Sequence, residues 1–216
     1  MDLLIHATPE RMNYVGEFLS PRLKAQGFSV HIYEDSEHKG NLAAYLESYK
    51  KLPENGDTWH LEDDVLPDSR FYSLVSGEWK RFPGIICGFG DKRKFTAEHF
   101  GSKNCIPGMF YSFPCIRIPN KTIKDFLVWL DDNQGDTVIA NTIKSGKEID
   151  YLFRIYLDSH KMNAYNFRPC LVEHIDEYLS GSIVHPNRQT LAKAVIFEDE
   201  KALDDLREWS NGKGIR

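Results

Sequence analysis

Three acidic side chains follow one another in residues 59–67, Trp-His-Leu-Glu-Asp-Asp-Val-Leu-Pro. Glu62, Asp63 and Asp64 come directly after residues 58–61, which have the pattern of a short buried strand, and before a turn. Adjacent carboxylates repel one another, and a hard divalent cation would neutralise them while keeping coordination sites for phosphate oxygens. The alternative is a solvated acidic turn, and the three acids alone do not decide between the two.

A histidine near the C-terminus has chemistry that would complete such a site. His174 lies in residues 168–175, Arg-Pro-Cys-Leu-Val-Glu-His-Ile. A neutral imidazole can supplement carboxylates on a transition-metal ion such as Mn²⁺. A single histidine is also compatible with an ordinary buried or surface residue that makes one hydrogen bond.

Two further acids, Glu148 and Asp150, precede an apolar segment with helical spacing. An acid at this position can satisfy the free backbone amides and the dipole of the first helical turn. It can also act as a general base if it faces a reacting hydroxyl.

These segments resemble parts of one enzyme family. Residues 61–67, hydrophobic-Glu-Asp-Asp-Val-Leu-Pro followed by Phe71, resemble the DxD region of GT-A glycosyltransferases, in the version found in small bacterial and phage-encoded members. Residues 169–175 are similar to a Pro, small, Leu-Val, acid or Gln, His-Ile segment of the same family. The resemblance implies an α/β fold, GT-A-like and related to the Rossmann arrangement, with an open mixed sheet that is mostly parallel and flanked by helices.

The resemblance also implies roles for individual residues. Asp64, Glu62 and His174 would hold Mn²⁺ or Mg²⁺, and Glu62 departs from the commoner Asp at its position. Asp150 would be the general base, with Glu148 in reserve. The residues implied at the nucleotide are Ala7, Thr8, Arg11, Asp35, Asn41, Glu62 and Asp63. Without the resemblance, Arg11 and Asp35 would be ordinary loop charges.

The expected function is therefore metal-dependent transfer of a sugar from a nucleotide-sugar donor, with a UDP-sugar as first candidate, to an unidentified acceptor hydroxyl. Two alternatives stay open. Paired acids at a strand end also suit another metal-dependent nucleotidyl or phosphoryl transfer enzyme. The fold could equally belong to a non-catalytic nucleotide-binding module. The formal net charge of −5 gives no general attraction to nucleic acid, which is not an expected partner.

Composition predicts a globular protein. The 216 residues suit one catalytic domain over residues 1–183 and a C-terminal extension over 184–216, whose acidic helix is a candidate for packing on the domain or for homo-oligomer formation. The four cysteines lack metal or redox spacing and are expected to be reduced and mostly buried. No export signal or apolar segment of about 20 residues is visible, so we expect a cytoplasmic protein without a transmembrane helix.

Hydrophobic periodicity predicts the elements that must position these residues. Strands are expected at 3–7, 28–33, 58–61, 84–89 and 115–118, and helices at 10–25, 40–51, 67–79, 121–130, 150–160 and 198–209. Residues 90–113 have no clear period and are expected to form a loop or lid, in which Lys92, Arg93 and Lys94 could cover a diphosphate.

Overall fold

A central sheet of six strands organises the chain. The computed structural model describes residues 1–90, 113–144, 149–167, 169–179, 193–194 and 197–213. The strands are β1 Asp2–Ala7, β2 Ser29–Glu34, β3 Asp57–Glu62, β4 Val65–Pro67, β5 Ile85–Cys87, β6 Cys115–Pro119, β7 Ala164–Asn166 and β8 Val172–His174.

Helices connect these strands. The α-helices are α1 Met12–Tyr14, α2 Ser20–Gln26, α3 Asn41–Lys50, α4 Phe71–Ser76, α5 Asn120–Asp132, α6 Thr137–Lys144, α7 Ile149–Ser159 and α8 Glu200–Lys213. A π-helical turn, Val15–Leu19, joins α1 to α2, and 3₁₀ turns cover Pro9–Arg11, Glu78–Arg81 and Asp176–Tyr178. None of the helices in the described ranges is both long and apolar enough to cross a membrane.

The sheet is mixed but mostly parallel. Its order is β2-β1-β3-β6-β5-β7, and β6 is antiparallel to both of its neighbours. The other paired strands run parallel, so the carboxyl ends of β1, β2 and β3 meet at one edge. A second sheet of two antiparallel strands, β4 and β8, follows that edge. The predicted fold class is confirmed.

Helices cover both faces of the central sheet because side chains alternate along its strands. Leu3 and Ile5 of β1 face a core that includes α2, α4 and α8. Ile116 and Ile118 of β6 face a second core against α3, α5 and α7. Cys87, Cys115 and Cys170 are buried, as expected, and Cys105 lies outside the described residues.

Most predicted elements are confirmed, and two are shorter than expected. The expected helix at 67–79 shortens to α4 because Pro67 belongs to β4 and the backbone N–H of Asp68 donates to the carbonyl of Leu171. The strand at 84–89 shortens to β5. The sequence did not predict α6 or β7, and the expected lid lies outside the described residues except at its two ends, Gly90 and Phe113.

Candidate metal and nucleotide site

Thr8 and Asp63 join the carboxyl ends of two neighbouring strands. Oδ2 of Asp63 accepts a hydrogen bond from the Thr8 backbone N–H at 2.6 Å and from its hydroxyl at 3.1 Å. Thr8 follows β1 and Asp63 follows β3, which are adjacent in the sheet. The Asp63 carboxylate therefore fixes the edge at which open α/β sheets bind their ligands.

The β4–β8 pair brings Asp64 and His174 together from distant parts of the chain. Val65 is opposite His174 in this pair, and the backbone N–H of Ile175 donates to the carbonyl of Asp64 at 2.8 Å. As a result, Nε2 of His174 lies 3.3 Å from Oδ2 of Asp64. Both side chains are mostly buried, with 11% of His174 and 18% of Asp64 exposed.

Glu62, Asp64 and His174 can each direct one ligand atom to a common point. These three atoms all lie within 4.8 Å of one another. Oδ1 of Asp64 is buried and accepts no hydrogen bond in the part of the chain that the structure describes. Two carboxylate oxygens and one imidazole nitrogen are a donor set that suits a divalent cation such as Mn²⁺, so the residues fit the predicted ion.

Burial and the neighbouring charges shift the ionisation of this cluster. Burial raises the pKa of Asp63 to about 7, and the Asp64 carboxylate adds to the effect. Burial alone would also raise the pKa of Asp64, but the adjacent His174 outweighs burial and lowers it. The converse holds for His174, where burial would lower the pKa and the Asp64 carboxylate raises it.

An aromatic layer supports Glu62 from the α3 side. The Tyr45 hydroxyl lies 3.5 Å from Oε1 of Glu62, and the Tyr45 ring stacks on His6 with ring centroids 3.7 Å apart. His6 in turn contacts His60, their nitrogens 3.4 Å apart. Burial lowers the pKa of both imidazoles, that of His60 to about 3, so both are neutral and pack as core residues.

Several residues predicted at the nucleotide lie around this edge. Ala7 ends β1, and its carbonyl accepts from the Asp35 backbone N–H at 2.8 Å. Both carboxylate oxygens of Asp35 accept backbone N–H groups, from Lys39 at 2.9 Å and Gly40 at 3.0 Å. Asp35 therefore orders the loop between β2 and α3, in which Gly40 adopts a φ of 88°. Its role at the nucleotide stays a prediction.

Asn41 links the beginning of α3 to the beginning of α7. Its side-chain oxygen accepts a hydrogen bond from the Ile149 backbone N–H at 3.2 Å. Asp150 is the next residue, in the first turn of α7. Burial is the main cause that raises the pKa of Tyr45, and the charges of Glu62, Asp64 and Asp150 add to it. The role of Asp150 as general base stays a prediction. Glu148 and the basic residues 92–94 lie outside the described residues.

Arg11 is buried rather than extended towards solvent. Its guanidinium donates to the carbonyl of Leu179 and pairs with Asp176 at 3.1 Å, and only 4% of each charged side chain is exposed. Arg11 thus contacts the segment that follows His174. The predicted contact of Arg11 with a nucleotide would compete with these bonds.

Sequence reasoning did not identify three residues that contact the cluster or its strands. These are Tyr14, whose hydroxyl donates to the carbonyl of Val65 at 2.7 Å, together with Tyr45 and Asp176. Asp176 had a sequence signal, since it follows His174 by two residues and continues the acidic pattern. Tyr14 and Tyr45 had none, because helical spacing marks both simply as core positions.

Comparisons with known proteins find distant similarity in solved structures. The crystal structure of the galactosyltransferase LgtC in complex with donor and acceptor sugar analogues has 11% sequence identity and a TM-score of 0.44, over 96% of each chain. The apo-form glycosyltransferase GlyE of Streptococcus pneumoniae TIGR4 has 12% identity and a TM-score of 0.37, over 99% of this chain but 64% of its own. No protein-family model and no curated protein matches the sequence. The proposals below rest on the geometry of the site.

Proposed function

We propose that this protein is a metal-dependent glycosyltransferase that moves a sugar from a nucleotide-sugar donor, a UDP-sugar in the first instance, to an acceptor hydroxyl. The observation that carries the proposal is the convergence of Glu62, Asp64 and His174 beside the carboxyl ends of parallel strands. Nucleotides bind at this edge in open α/β sheets, and a nucleotide diphosphate needs a cation next to carboxylates.

Glu62, Asp64 and His174 would hold Mn²⁺ or Mg²⁺. When bound, the ion would act as a Lewis acid that neutralises charge on the departing diphosphate, the charge that this reaction most needs to stabilise. Asp63 keeps the edge in place through Thr8, and Tyr45 supports Glu62. The backbone at the ends of β1 and β2 would then lie beside the nucleotide.

We propose Asp150 as the general base that takes the proton from the acceptor hydroxyl. Its position in the first turn of α7, which Asn41 links to the beginning of α3, supports this role. Direct attack by the deprotonated acceptor would invert the anomeric centre. A product that retains the configuration would contradict this assignment.

The first test is a thermal-shift screen of UDP, GDP, CDP and ADP and their common sugar conjugates, with and without Mn²⁺. A ligand at 100 times its Kd stabilises the native state by about 2.7 kcal/mol. We expect one nucleotide class to raise the Tm of the wild type only with Mn²⁺, and Asp64→Asn to lose this shift. Asp68→Asn is the matched control. Asp68 is also a buried aspartate close to Asp64 in the sequence, but it pairs with Arg70 and is not one of the three candidate ligands.

Product analysis then separates the proposed reaction from phosphoryl or nucleotidyl transfer. Sugar transfer releases a nucleoside diphosphate and forms a glycoside. Release of pyrophosphate or inorganic phosphate would instead assign the acids to phosphoryl chemistry. If no nucleotide shifts the Tm with any divalent cation, the proposal is contradicted.

A further inference from the structure

The two ring nitrogens of His174 have different surroundings. Nε2 lies beside Asp64 and is the nitrogen that faces the carboxylate cluster. Nδ1 is buried and makes no hydrogen bond to the described part of the chain. Oδ2 of Asp176 lies 3.9 Å from Nδ1, about 1 Å beyond hydrogen-bond length.

Arg11 holds Asp176 in this position. One guanidinium nitrogen pairs with Oδ1 of Asp176 at 3.1 Å, and another donates to the carbonyl of Leu179. These two contacts lie at the beginning and just after the end of the 3₁₀ turn Asp176–Tyr178, which the Leu179 N–H closes by donating to the Asp176 carbonyl. The same guanidinium therefore fixes both ends of the turn. The Asp176 carboxyl group lies close to both His174 and Asp64, and its Oδ2 is the oxygen that faces His174 Nδ1.

The chemistry of an imidazole ligand explains why such an arrangement matters. A histidine that binds a cation through Nε2 must be neutral, so its single ring proton is on Nδ1. A buried N–H that lacks an acceptor is costly, and a carboxylate is the strongest acceptor a protein can provide. Carboxylates in this relation to ligand histidines fix both the tautomer and the ring orientation.

We propose that Asp176 and Arg11 are positioning residues for His174, an inference that rests on the metal site of the proposed function. Arg11 fixes Asp176, and Asp176 accepts the Nδ1 proton of His174 so that Nε2 is presented to the cation. Arg11 thereby acts on the site from within the protein, and not by contact with a nucleotide.

Titration with Mn²⁺ alone, followed by calorimetry, tests the proposal without any activity assay. Asp176→Asn keeps the shape of the side chain but replaces the carboxylate, and we expect Mn²⁺ affinity to fall about 10- to 100-fold. Asp68→Asn, which breaks the pair between the buried Asp68 and the half-exposed Arg70, should lose stability yet bind Mn²⁺ within about twofold of the wild type. Equal affinity of Asp176→Asn and the wild type would overturn the inference.

A second measurement determines the tautomer of His174 directly in the wild-type protein. The protein is labelled with ¹⁵N-histidine and loaded with Mg²⁺, because a diamagnetic ion does not broaden the NMR signals. Two-bond ¹⁵N–¹H correlations then report which ring nitrogen of His174 carries the proton. The signal is assigned by its loss in His174→Gln. In the wild type we expect the proton on Nδ1. In Asp176→Asn with the same cation added, we expect a mixture of tautomers or a ring protonated on Nε2. A wild-type ring protonated on Nε2 would overturn the inference.

The two proposals fail in different ways. If the wild type binds neither Mn²⁺ nor Mg²⁺, the metal site of the proposed function is contradicted, and the positioning role with it. If the wild type binds the cation and Asp176→Asn binds it equally well with the same tautomer, the positioning role alone is contradicted.

Discussion

Asp63 and Asp64 are consecutive acids whose side chains have different tasks. The Asp63 carboxylate turns towards β1 and accepts two hydrogen bonds from Thr8. The Asp64 carboxylate turns towards β8 and faces His174. Both residues lie in the turn between β3 and β4, and one acidic run can therefore both fix the sheet edge and supply a ligand.

Replacement of Asp63 should therefore affect stability more than metal binding. In Asp63→Ala the Thr8 backbone N–H loses its acceptor, and we expect the free energy of unfolding to fall by about 1–3 kcal/mol. Urea denaturation measures this loss, and Mn²⁺ should still raise the Tm of the variant. A variant as stable as the wild type that no longer responds to Mn²⁺ would assign Asp63, rather than Asp64, to the cation.

The Tyr45 hydroxyl offers a comparison with a matched neighbour. Tyr45→Phe removes the hydroxyl that contacts Glu62. We expect the variant to bind Mn²⁺ about 2- to 10-fold more weakly than the wild type, which corresponds to the loss of one hydrogen bond of ordinary strength. Tyr49 lies one helical turn away, is equally buried, and its hydroxyl makes no hydrogen bond to the described residues. Tyr49→Phe should leave Mn²⁺ affinity unchanged by calorimetry. Equal effects of the two variants would mean that Tyr45 acts through packing alone.

At the scale of elements, residues 9–14 contact one strand of the small sheet and the turn that follows the other. Tyr14, in α1, bonds to β4 through Val65, and Arg11 bonds to the turn after β8. The π-helical turn Val15–Leu19 follows directly, with Phe18 and Leu19 in the core. A π turn shifts the residues on its two sides relative to each other around the helix, so polar contacts before it and core packing after it can coexist.

The beginning of α8 provides a test that depends on pH. The N-cap Asp199 accepts the Ala202 N–H at 3.0 Å and the Ser69 N–H at 2.6 Å. Burial alone would raise the pKa of Asp199, but these donors, Ser69 first, outweigh burial and lower it. Since the pKa is lower in the folded state, the stabilisation is present at neutral pH and is lost as the pH falls below about 4. Asp199→Ala should cost about 1–2 kcal/mol at pH 7.

Urea denaturation at pH 7 and pH 3 measures this difference. The difference in free energy of unfolding between the wild type and Asp199→Ala should narrow at pH 3, because the Asp199 carboxylate binds a proton more readily in the unfolded chain and lower pH therefore favours unfolding of the wild type. A gap of the same size at both pH values would show that the Asp199 charge does not contribute. Asp204→Ala is the control, because Asp204 is an exposed acid of the same helix and pairs with Arg207, three residues further along that helix.

Local patterns predicted the elements that local interactions determine. Strand β1, the helix that Gly27 ends at a φ of 109°, and the acidic run after β3 all follow from neighbouring residues. The pairing of β4 with β8 does not follow from neighbouring residues, because it joins short segments more than a hundred residues apart. In addition, a proline such as Pro67 argues against a strand in the sequence. Because of the same separation along the chain, the sequence indicated His174 only through resemblance and did not indicate that Arg11 and Asp176 meet.

At the scale of the whole molecule, the C-terminal helix packs on the same core as the N-terminal helices. Leu206 of α8 is fully buried in that core, and Trp209 packs edge-on against Tyr14, ring centroids 5.5 Å apart. Arg22 pairs with Asp205 at 2.8 Å. Residues from the predicted extension therefore contact the helix that contacts the candidate metal site.

Leu206→Ala tests whether this helix folds as part of the domain. Truncation of a fully buried leucine costs about 2–5 kcal/mol, and a shared core predicts one cooperative unfolding transition at a lower denaturant concentration. Val128→Ala, at a position with 61% exposure, should change stability by no more than about 0.5 kcal/mol. Two separate transitions, with only the smaller one shifted, would instead indicate an independently folding extension.

The pairing of Asp64 with His174 has a consequence for the conformational entropy of the chain. A cation held by both side chains is a reversible cross-link that closes a loop of more than a hundred residues, and Glu62 adds a third attachment. Such a link removes chain entropy from the opened state, much as a covalent bridge would, but its strength follows the concentration of the free ion. Amide hydrogen exchange in β4 and β8 would then slow as the ion is added, and the sheet edge that receives the substrate would be tightened by the same ion that binds the diphosphate.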